Sequence, residues 1–380
     1  FGVFPDIGWS STVPRLLFCT PGFMHLHSIG RGSVHRDMRF HLPLASAPSA
    51  ATSFRMKREI LIKNHGLASR ARAHWTPDRL QRLMAGKRLP LHPVTHAAFL
   101  HATGLMSDDA SVTSGQVKKY LQINHMISLI APPFRALAKA MPGRPLTLLD
   151  AGCGNSYLSL AFAFLAREAT AGRLPQIPDW KDTKFELQVI GVDTNADVIR
   201  QSRERAALLG LEDTMSFQAV PLRDAVLPER LHAVMALHAC DTATDDALAL
   251  GLRRSADILA VAPCCQAELA SFFKTLAART GSSHPLDVIL HSPNLRRDTA
   301  ATITDALRLA LLRALGYEAT ATEFIPSAHT PKNRLILAER RGRYNKAGLA
   351  SFLALRAASG DAELALEREV KDLLAERFPA

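Results

Sequence analysis

The stretch Leu146-Thr147-Leu148-Leu149-Asp150-Ala151-Gly152-Cys153-Gly154-Asn155 is an apolar run followed by an acid and a glycine-rich turn. Gly152 and Gly154 allow the backbone to bend tightly and let a ligand approach without a Cβ clash. A helical pattern from Tyr157 to Arg167 follows at once. In open α/β sheets, nucleotide-like ligands bind beyond the carboxyl ends of the strands. We therefore expect a ligand site at this turn.

Strand and helix patterns alternate along the rest of the chain. Further strands are expected at 187–192, 215–220, 232–237, 257–262, 317–324 and 333–338, and helices at 114–130, 196–209, 245–254 and 299–315. This alternation predicts an α/β fold whose mostly parallel sheet carries helices on both faces. The late pair of strands predicts a hairpin with an antiparallel last strand, which gives a seven-stranded, Rossmann-like sheet.

The second expected strand ends in Gly191-Val192-Asp193-Thr194-Asn195, which places a carboxylate where a ribose diol would lie. A dinucleotide fingerprint needs a third glycine, and Tyr157 stands in that place. With Asp150 as an acceptor for an amino group, the pattern favours S-adenosylmethionine over an NAD site or an unliganded turn. The residues expected to contact the cofactor are Asp150, Gly152, Cys153, Gly154, Asn155, Asp193, Asn195, Gln218 and Leu237. Gln218 is the candidate for adenine, with Asp224 as its alternative.

Two further strand ends carry reactive side chains. They read Ala236-Leu237-His238-Ala239-Cys240-Asp241-Thr242-Ala243-Thr244-Asp245 and Val261-Ala262-Pro263-Cys264-Cys265-Gln266. The pair resembles a branch of the class I methyltransferases that includes the eukaryotic tRNA acceptor-stem 2′-O-methyltransferases. The segments 118–125 and 329–333 share the resemblance, which covers about residues 115–340. It implies a class I methyltransferase fold and methyl transfer, with RNA as the acceptor.

The sequence departs from that branch at two places. Asp241 stands where the branch has Gly, and Gln266-Ala267 stands where it has a His pair. The zinc-binding module of the tRNA enzymes is not visible, so the resemblance does not fix the acceptor.

The catalytic candidates are His238, Cys240, Asp241, Cys264 and Cys265. His238 is a candidate base or acceptor-orienting group, and Asp241 could orient it; a structural histidine is the alternative. The cysteines could be packing residues, could include a nucleophile as in RNA 5-methylcytosine enzymes, or could bind zinc with His238. Because CxxC spacing is absent and adjacent cysteines suit one metal poorly, we predict no metal site.

The composition indicates a partner and a compartment. The chain has 46 Lys and Arg against 35 Asp and Glu, a net charge of +11, which favours polyanions. Five cysteines, two of them adjacent, favour a reducing compartment, and no apolar run is long enough to span a membrane. We expect a cytoplasmic methyltransferase that acts on RNA, either tRNA or rRNA. The alternatives are a small-molecule or protein methyltransferase, or a catalytically silent fold that acts as an assembly factor.

The chain is expected to have four parts. Residues 1–55 are predicted to be disordered or a non-native leader, and 56–114 to be a basic helical region whose arginines face RNA. Residues 115–342 are predicted to form the methyltransferase domain, and 343–380 to form one or two surface helices. The oligomeric state does not follow from the sequence.

Overall fold

The computed structural model describes residues 66–174, 180, 184–237, 242–263, 266–280, 284–324 and 333–379. The chain divides into two units, Phe1–Ala50 and Ala51–Ala380. All of the described residues belong to the second unit, so the predicted leader lies outside them.

One seven-stranded sheet organises the molecule. Its strands are β1 (Leu146–Ala151), β2 (Leu187–Asp193), β3 (Met215–Ala219), β4 (Ala233–Ala236), β5 (Ile258–Val261), β6 (Tyr317–Glu323) and β7 (Arg334–Arg340). The order across the sheet is β3-β2-β1-β4-β5-β7-β6. The first five strands are parallel, and β7 runs antiparallel to both of its neighbours. The predicted fold class is confirmed.

The described helices lead into the sheet, connect its strands and follow them. They are α1 (66–74), α2 (Pro77–Met84), α3 (Ala97–Ala102), α4 (Ser114–Ala140), α5 (Tyr157–Thr170), α6 (Ala196–Leu208), α7 (Thr242–Arg253), α8 (Ala267–Thr280), α9 (Asp287–His291), α10 (Pro293–Ala314), α11 (Lys346–Ala358), α12 (Ala365–Glu369) and α13 (Lys371–Arg377). None of them combines the length and the apolar character that a bilayer-spanning segment needs.

The strand order reverses direction beside β1, and this places the site. Strands β2 and β3 extend to one side of β1, and β4 and β5 extend to the other. In the register, Asp150 lies beside Gly191 of β2 and beside Met235 of β4. The turn that follows β1 therefore lies at the crevice where open α/β sheets bind ligands.

Both faces of the sheet are buried, and alternate residues of β1 point to opposite faces. Leu148 packs in one apolar cluster, which also holds Leu67 and Leu91 of the amino-terminal region. Leu149 packs in the other, which also holds Phe352 and Val370 of the carboxyl-terminal helices. The amino-terminal and carboxyl-terminal regions thus pack on the sheet through shared cores.

Helix α4 corrects one expectation. A helix ending at about Ile130, just before two prolines, was expected because a proline inside a helix costs about 3 kcal/mol. The helix instead continues through Pro132 and Pro133 to Ala140. Ile127, Ile130 and Phe134 are fully buried on either side of the prolines. Burying each such side chain contributes roughly 1.5–3 kcal/mol, which offsets the lost helical hydrogen bonds.

Two other boundaries also differ from expectation. Helix α10 begins at Pro293 rather than near 299, because Pro293 occupies the first helical position, where its missing N–H costs nothing. The carboxyl-terminal region contains three described helices rather than one or two. The last two, α12 and α13, are separated by Val370, which is fully buried in the second core.

Candidate cofactor site

The turn after β1 is held in an alternating left-handed conformation. Gly152, Gly154 and Ser156 have φ angles of +67°, +50° and +53°. Glycine adopts this region readily, whereas a serine does so only at a cost. The backbone N–H groups of Gly152 and Cys153 donate to the carbonyl of Val192 at 2.8 and 3.0 Å. The turn is therefore bent back onto the end of β2.

Asp150 is a buried acid at the base of this turn. It is 4 % exposed, and Ser159 of α5 donates its hydroxyl to Oδ2 at 2.6 Å. Burial raises the pKa of Asp150 from its ordinary value of 3.8 to about 6; the Ser159 hydrogen bond opposes this rise and the charge of Asp193 adds to it. At neutral pH the carboxyl is still mostly ionised, so it can bind an ammonium group.

Asp193 links the ends of the first two strands. Its Oδ2 accepts from the backbone N–H of Gly154 at 2.9 Å, and its Oδ1 accepts from the N–H of Asn195 at 2.9 Å. The side chain is only partly buried. Since each carboxylate oxygen has a second lone pair, Asp193 can hold the turn and still accept from ribose hydroxyls.

Helix α6 holds the turn from the other side, through residues that the sequence analysis did not single out. Ser202 donates to the carbonyl of Gly154 at 3.1 Å, and Arg205 donates to Oδ1 of Asn155 at 3.0 Å. Tyr157 lies between cations: Lys119 Nζ is 3.4 Å from its ring centroid and Arg205 Cζ is 5.2 Å away. Of Ser159, Ser202 and Arg205, only Ser159 had a local signal, as the one serine in the largely apolar helix α5.

The Cys153 side chain is largely buried, and its predicted contact with the cofactor stays a prediction. The residue is 9 % exposed and belongs to the first apolar core. A Cβ placed on Gly191 would lie 3.1 Å from its sulfur and 2.6 Å from the Phe217 ring. The thiol therefore packs beneath the turn, and burial raises its pKa far above the ordinary range.

The remaining cofactor candidates lie at the same edge of the sheet but are engaged in local structure. Asn195 caps α6, with its Oδ1 accepting from Asp197 and Val198. The Gln218 amide exchanges two hydrogen bonds of 2.8 Å with the backbone of Val226. One amide hydrogen and one lone pair remain on Gln218, so adenine contact stays a prediction. Leu237 is 8 % exposed at the end of β4.

The catalytic candidates His238, Cys240, Asp241, Cys264 and Cys265 lie outside the described residues, and so does most of the 329–333 segment. Their roles stay predictions. Within the part of the chain that the structure describes, no group of three His, Cys, Asp or Glu side chains could hold a metal ion.

The residues at the turn fit S-adenosylmethionine. A side chain on Gly154 would meet no atom within 4 Å, so the turn borders open space. The charge of Asp193 disfavours ionisation of Asp150, so a ligand that carries a sulfonium and an ammonium relieves their repulsion. A dinucleotide pyrophosphate would add to it. When bound, the cofactor supplies an electrophilic methyl group.

Sequence comparison agrees with the geometry. Residues 118–271 match a family described as a methyltransferase domain. The chain carries a methyltransferase domain over these residues. The matched range runs from α4 into α8 and includes β1 to β5 with the cofactor turn. The methyl donor of this methyltransferase is S-adenosylmethionine.

Other comparisons do not resolve the acceptor. No curated protein matches the sequence. Among solved structures, magnesium protoporphyrin IX methyltransferase from Synechocystis PCC 6803 with bound SAH is 17 % identical, with a TM-score of 0.31 over 60 % of this chain and 89 % of that one. Ribosomal protein L11 methylase from Lactobacillus delbrueckii subsp. bulgaricus is 13 % identical, with a TM-score of 0.32 over 61 % and 81 %. These likenesses are too distant to carry an argument about substrate.

Proposed function

We propose that this methyltransferase transfers the methyl group of S-adenosylmethionine to RNA, either tRNA or rRNA. The observation that carries the proposal is a set of exposed cations on α1, on α2 and in the segment just after α2, which we call the basic surface. It consists of Arg70, Arg72, Arg79, Arg82, Lys87 and Arg88.

The cations of the basic surface differ from other arginines of the protein in their partners. Arg230, Arg253 and Arg341 each form an ion pair with a carboxylate at 2.6–2.7 Å. Among the ion pairs of the described residues, none involves the five arginines of the basic surface. Asp78 is the only acid between residues 66 and 88. Exposed arginines that pair with no carboxylate of the described residues are suited to phosphate.

The basic surface is attached firmly to the methyltransferase domain. Leu67, Ala71 and Trp75 are buried, and Trp75 donates its indole N–H to the carbonyl of Ala110 at 2.9 Å. Further along, the Tyr120 hydroxyl of α4 donates to the carbonyl of Leu91 at 2.6 Å. Because Leu67 and Ala71 of α1 are buried and the apolar residues of α2 pack partly buried against the same core, the cations project outward from a fixed support. Such a support can hold an RNA backbone in a set position relative to the cofactor.

The experiment combines cofactor binding, methyl transfer and salt dependence. Isothermal titration measures S-adenosylmethionine binding, and tritiated cofactor measures transfer to separated tRNA, rRNA, protein and small-molecule fractions. We expect tritium in an RNA fraction. We also expect RNA binding to weaken steeply as salt rises, because phosphate contacts release counterions.

A matched pair of variants tests the basic surface. Arg72→Gln with Arg82→Gln removes two charges from it, and Arg341→Gln with Arg343→Gln removes two exposed charges elsewhere. The first pair should lower the salt slope by roughly 1.4–1.8, at about 0.7–0.9 per phosphate contact; the second should leave it unchanged. Equal slopes for both pairs would reject the basic surface as the RNA site. Tritium only in protein or small molecules, or cofactor binding with no transfer, would reject RNA as the acceptor.

A further inference from the structure

A fully buried arginine on α10 binds the start of α7, the helix that follows β4. The Arg308 side chain, on α10, has 0 % exposure. Its Nε and Nη2 donate to the two carboxylate oxygens of Asp245 at 2.7 and 2.9 Å. Its Nη1 donates to Oδ1 of Asp305 at 3.2 Å. The planar guanidinium suits this arrangement, since it can serve one carboxylate in bidentate fashion and still reach another.

Asp305 extends the contacts to two more segments of the chain. Its Oδ2 accepts from Arg334 Nη1 at 3.1 Å, and Gln266 Nε2 is 3.4 Å from Oδ1. Arg334 also donates to the Thr302 hydroxyl at 2.9 Å. We call Asp245, Gln266, Asp305, Arg308 and Arg334 the buried ion network.

The network joins three segments that meet at one edge of the sheet. Asp245 lies in the first turn of α7, after β4; Gln266 lies between β5 and α8; and Arg334 is the first residue of β7. Since β7 is antiparallel to β5, with Val261 beside Ile336, its first residue lies at the edge where β5 ends. Residues just after the two segments that carry the catalytic candidates, Asp245 and Gln266, are thus linked to α10.

Stability alone is a weak reason for such a network. Burying charges carries a desolvation penalty, and apolar side chains of similar volume often stabilise a fold equally well. What a bidentate ion network adds is a fixed distance and orientation between the groups that it joins. The two carboxylates and two guanidinium groups also balance in charge.

We propose that Arg308 is a positioning residue for methyl transfer, holding the start of α7, the entry to α8 and the start of β7 in one arrangement. The proposal rests on the proposed function for its effect on turnover. The cofactor turn follows β1 and is held by β2 and α6, none of which contributes to the buried ion network. We therefore expect the network to affect the rate of methyl transfer rather than the affinity for the cofactor.

Three variants test the proposal in the full chain. Arg308→Met removes the charge at similar length, and Arg308→Lys keeps the charge but gives up the bidentate fork. Leu312→Ala removes a fully buried side chain one turn along α10 and serves as the structural control. Hydrogen exchange, S-adenosylmethionine affinity and the rate of tritium transfer to the tRNA and rRNA fractions are measured for each.

For Arg308→Met we expect amides at 242–248 and 266–270 to exchange about tenfold faster or more, with β1 and β2 unchanged. The turnover number should fall roughly 10- to 100-fold, since small misplacements are costly in catalysis. Cofactor affinity should stay within about twofold, because distant sites behave independently. Arg308→Lys should recover part of the turnover, and Leu312→Ala should lower the melting temperature without this pattern.

The proposal is overturned if exchange at 242–248 and 266–270 does not change, or if Leu312→Ala reproduces the loss of turnover. If Arg308→Met does not fold, Arg334→Gln replaces it, since that side chain is one-third exposed, and the same shifts are expected at smaller size. If the parent protein transfers no methyl group to RNA, the proposed function fails, and the exchange pattern still decides whether Arg308 holds the three segments in one arrangement.

Discussion

Replacing Asp150 by Asn should stabilise the cofactor-free protein at neutral pH while weakening cofactor binding. The side chain is almost fully buried, and Asn keeps an oxygen that can accept the Ser159 hydroxyl. In the folded protein burial raises the pKa of Asp150 to about 6, whereas the unfolded chain keeps the ordinary 3.8. The folded state therefore binds more protons than the unfolded state between these two values.

The sign and size of the effect follow from proton linkage. Where the folded state holds more protons, the free energy of unfolding falls as pH rises. Each pH unit between the two pKa values is worth about 1.4 kcal/mol, so ionising Asp150 costs the folded state about 3 kcal/mol at neutral pH. Asn does not ionise. The stability of Asp150→Asn relative to the parent should therefore rise by about 2.4 kcal/mol from pH 4 to pH 7.5, since pH 4 already lies just above the lower pKa.

The assay is urea unfolding of the cofactor-free protein, followed by circular dichroism at steps from pH 4 to pH 7.5. Asp197→Asn, in which an 82 % exposed acid is replaced by its amide, is the control. Isothermal titration at pH 7.5 should show S-adenosylmethionine bound roughly 10- to 100-fold more weakly by Asp150→Asn, the loss expected for a charged hydrogen bond. A stability difference that does not vary with pH, or unchanged affinity, would refute the reasoning.

Two further substitutions test the same turn. Gly191→Ala places a Cβ 2.6 Å from the Phe217 ring and should lower the free energy of unfolding by about 1–3 kcal/mol. In urea unfolding, adding Phe217→Leu should recover part of that loss. If the effects of the two substitutions simply add, the steric explanation is wrong. Asp193→Asn replaces one of the two oxygens that accept from backbone N–H groups by an NH2 group. It should weaken cofactor affinity roughly tenfold or more, whereas Asp197→Asn should not. Equal affinities of the two variants in the titration would mean that Asp193 does not hold the turn.

Much of the sheet could be predicted because its signals are local. The apolar run at 146–149, the acid that follows it and the glycines at 152 and 154 fix a strand, its end and a bend within ten residues. The pattern did not predict that α4 would pass through two prolines, since that depends on the buried side chains around them. Nor did it show which way the Cys153 thiol points, because Phe217 and Gly191 are distant in sequence.

The sequence by itself determined the α/β fold, the cofactor turn and its two acids, because spacing along the chain sets which residues end neighbouring strands. Only the tertiary structure decided which side chains hold that turn and which link α7, α10 and β7. Ser202 and Arg205 reach the turn from 48 and 50 residues away, and Arg308 reaches Asp245 across 63. Such contacts arise when packed helices bring distant side chains within hydrogen-bond range, and no local pattern encodes them.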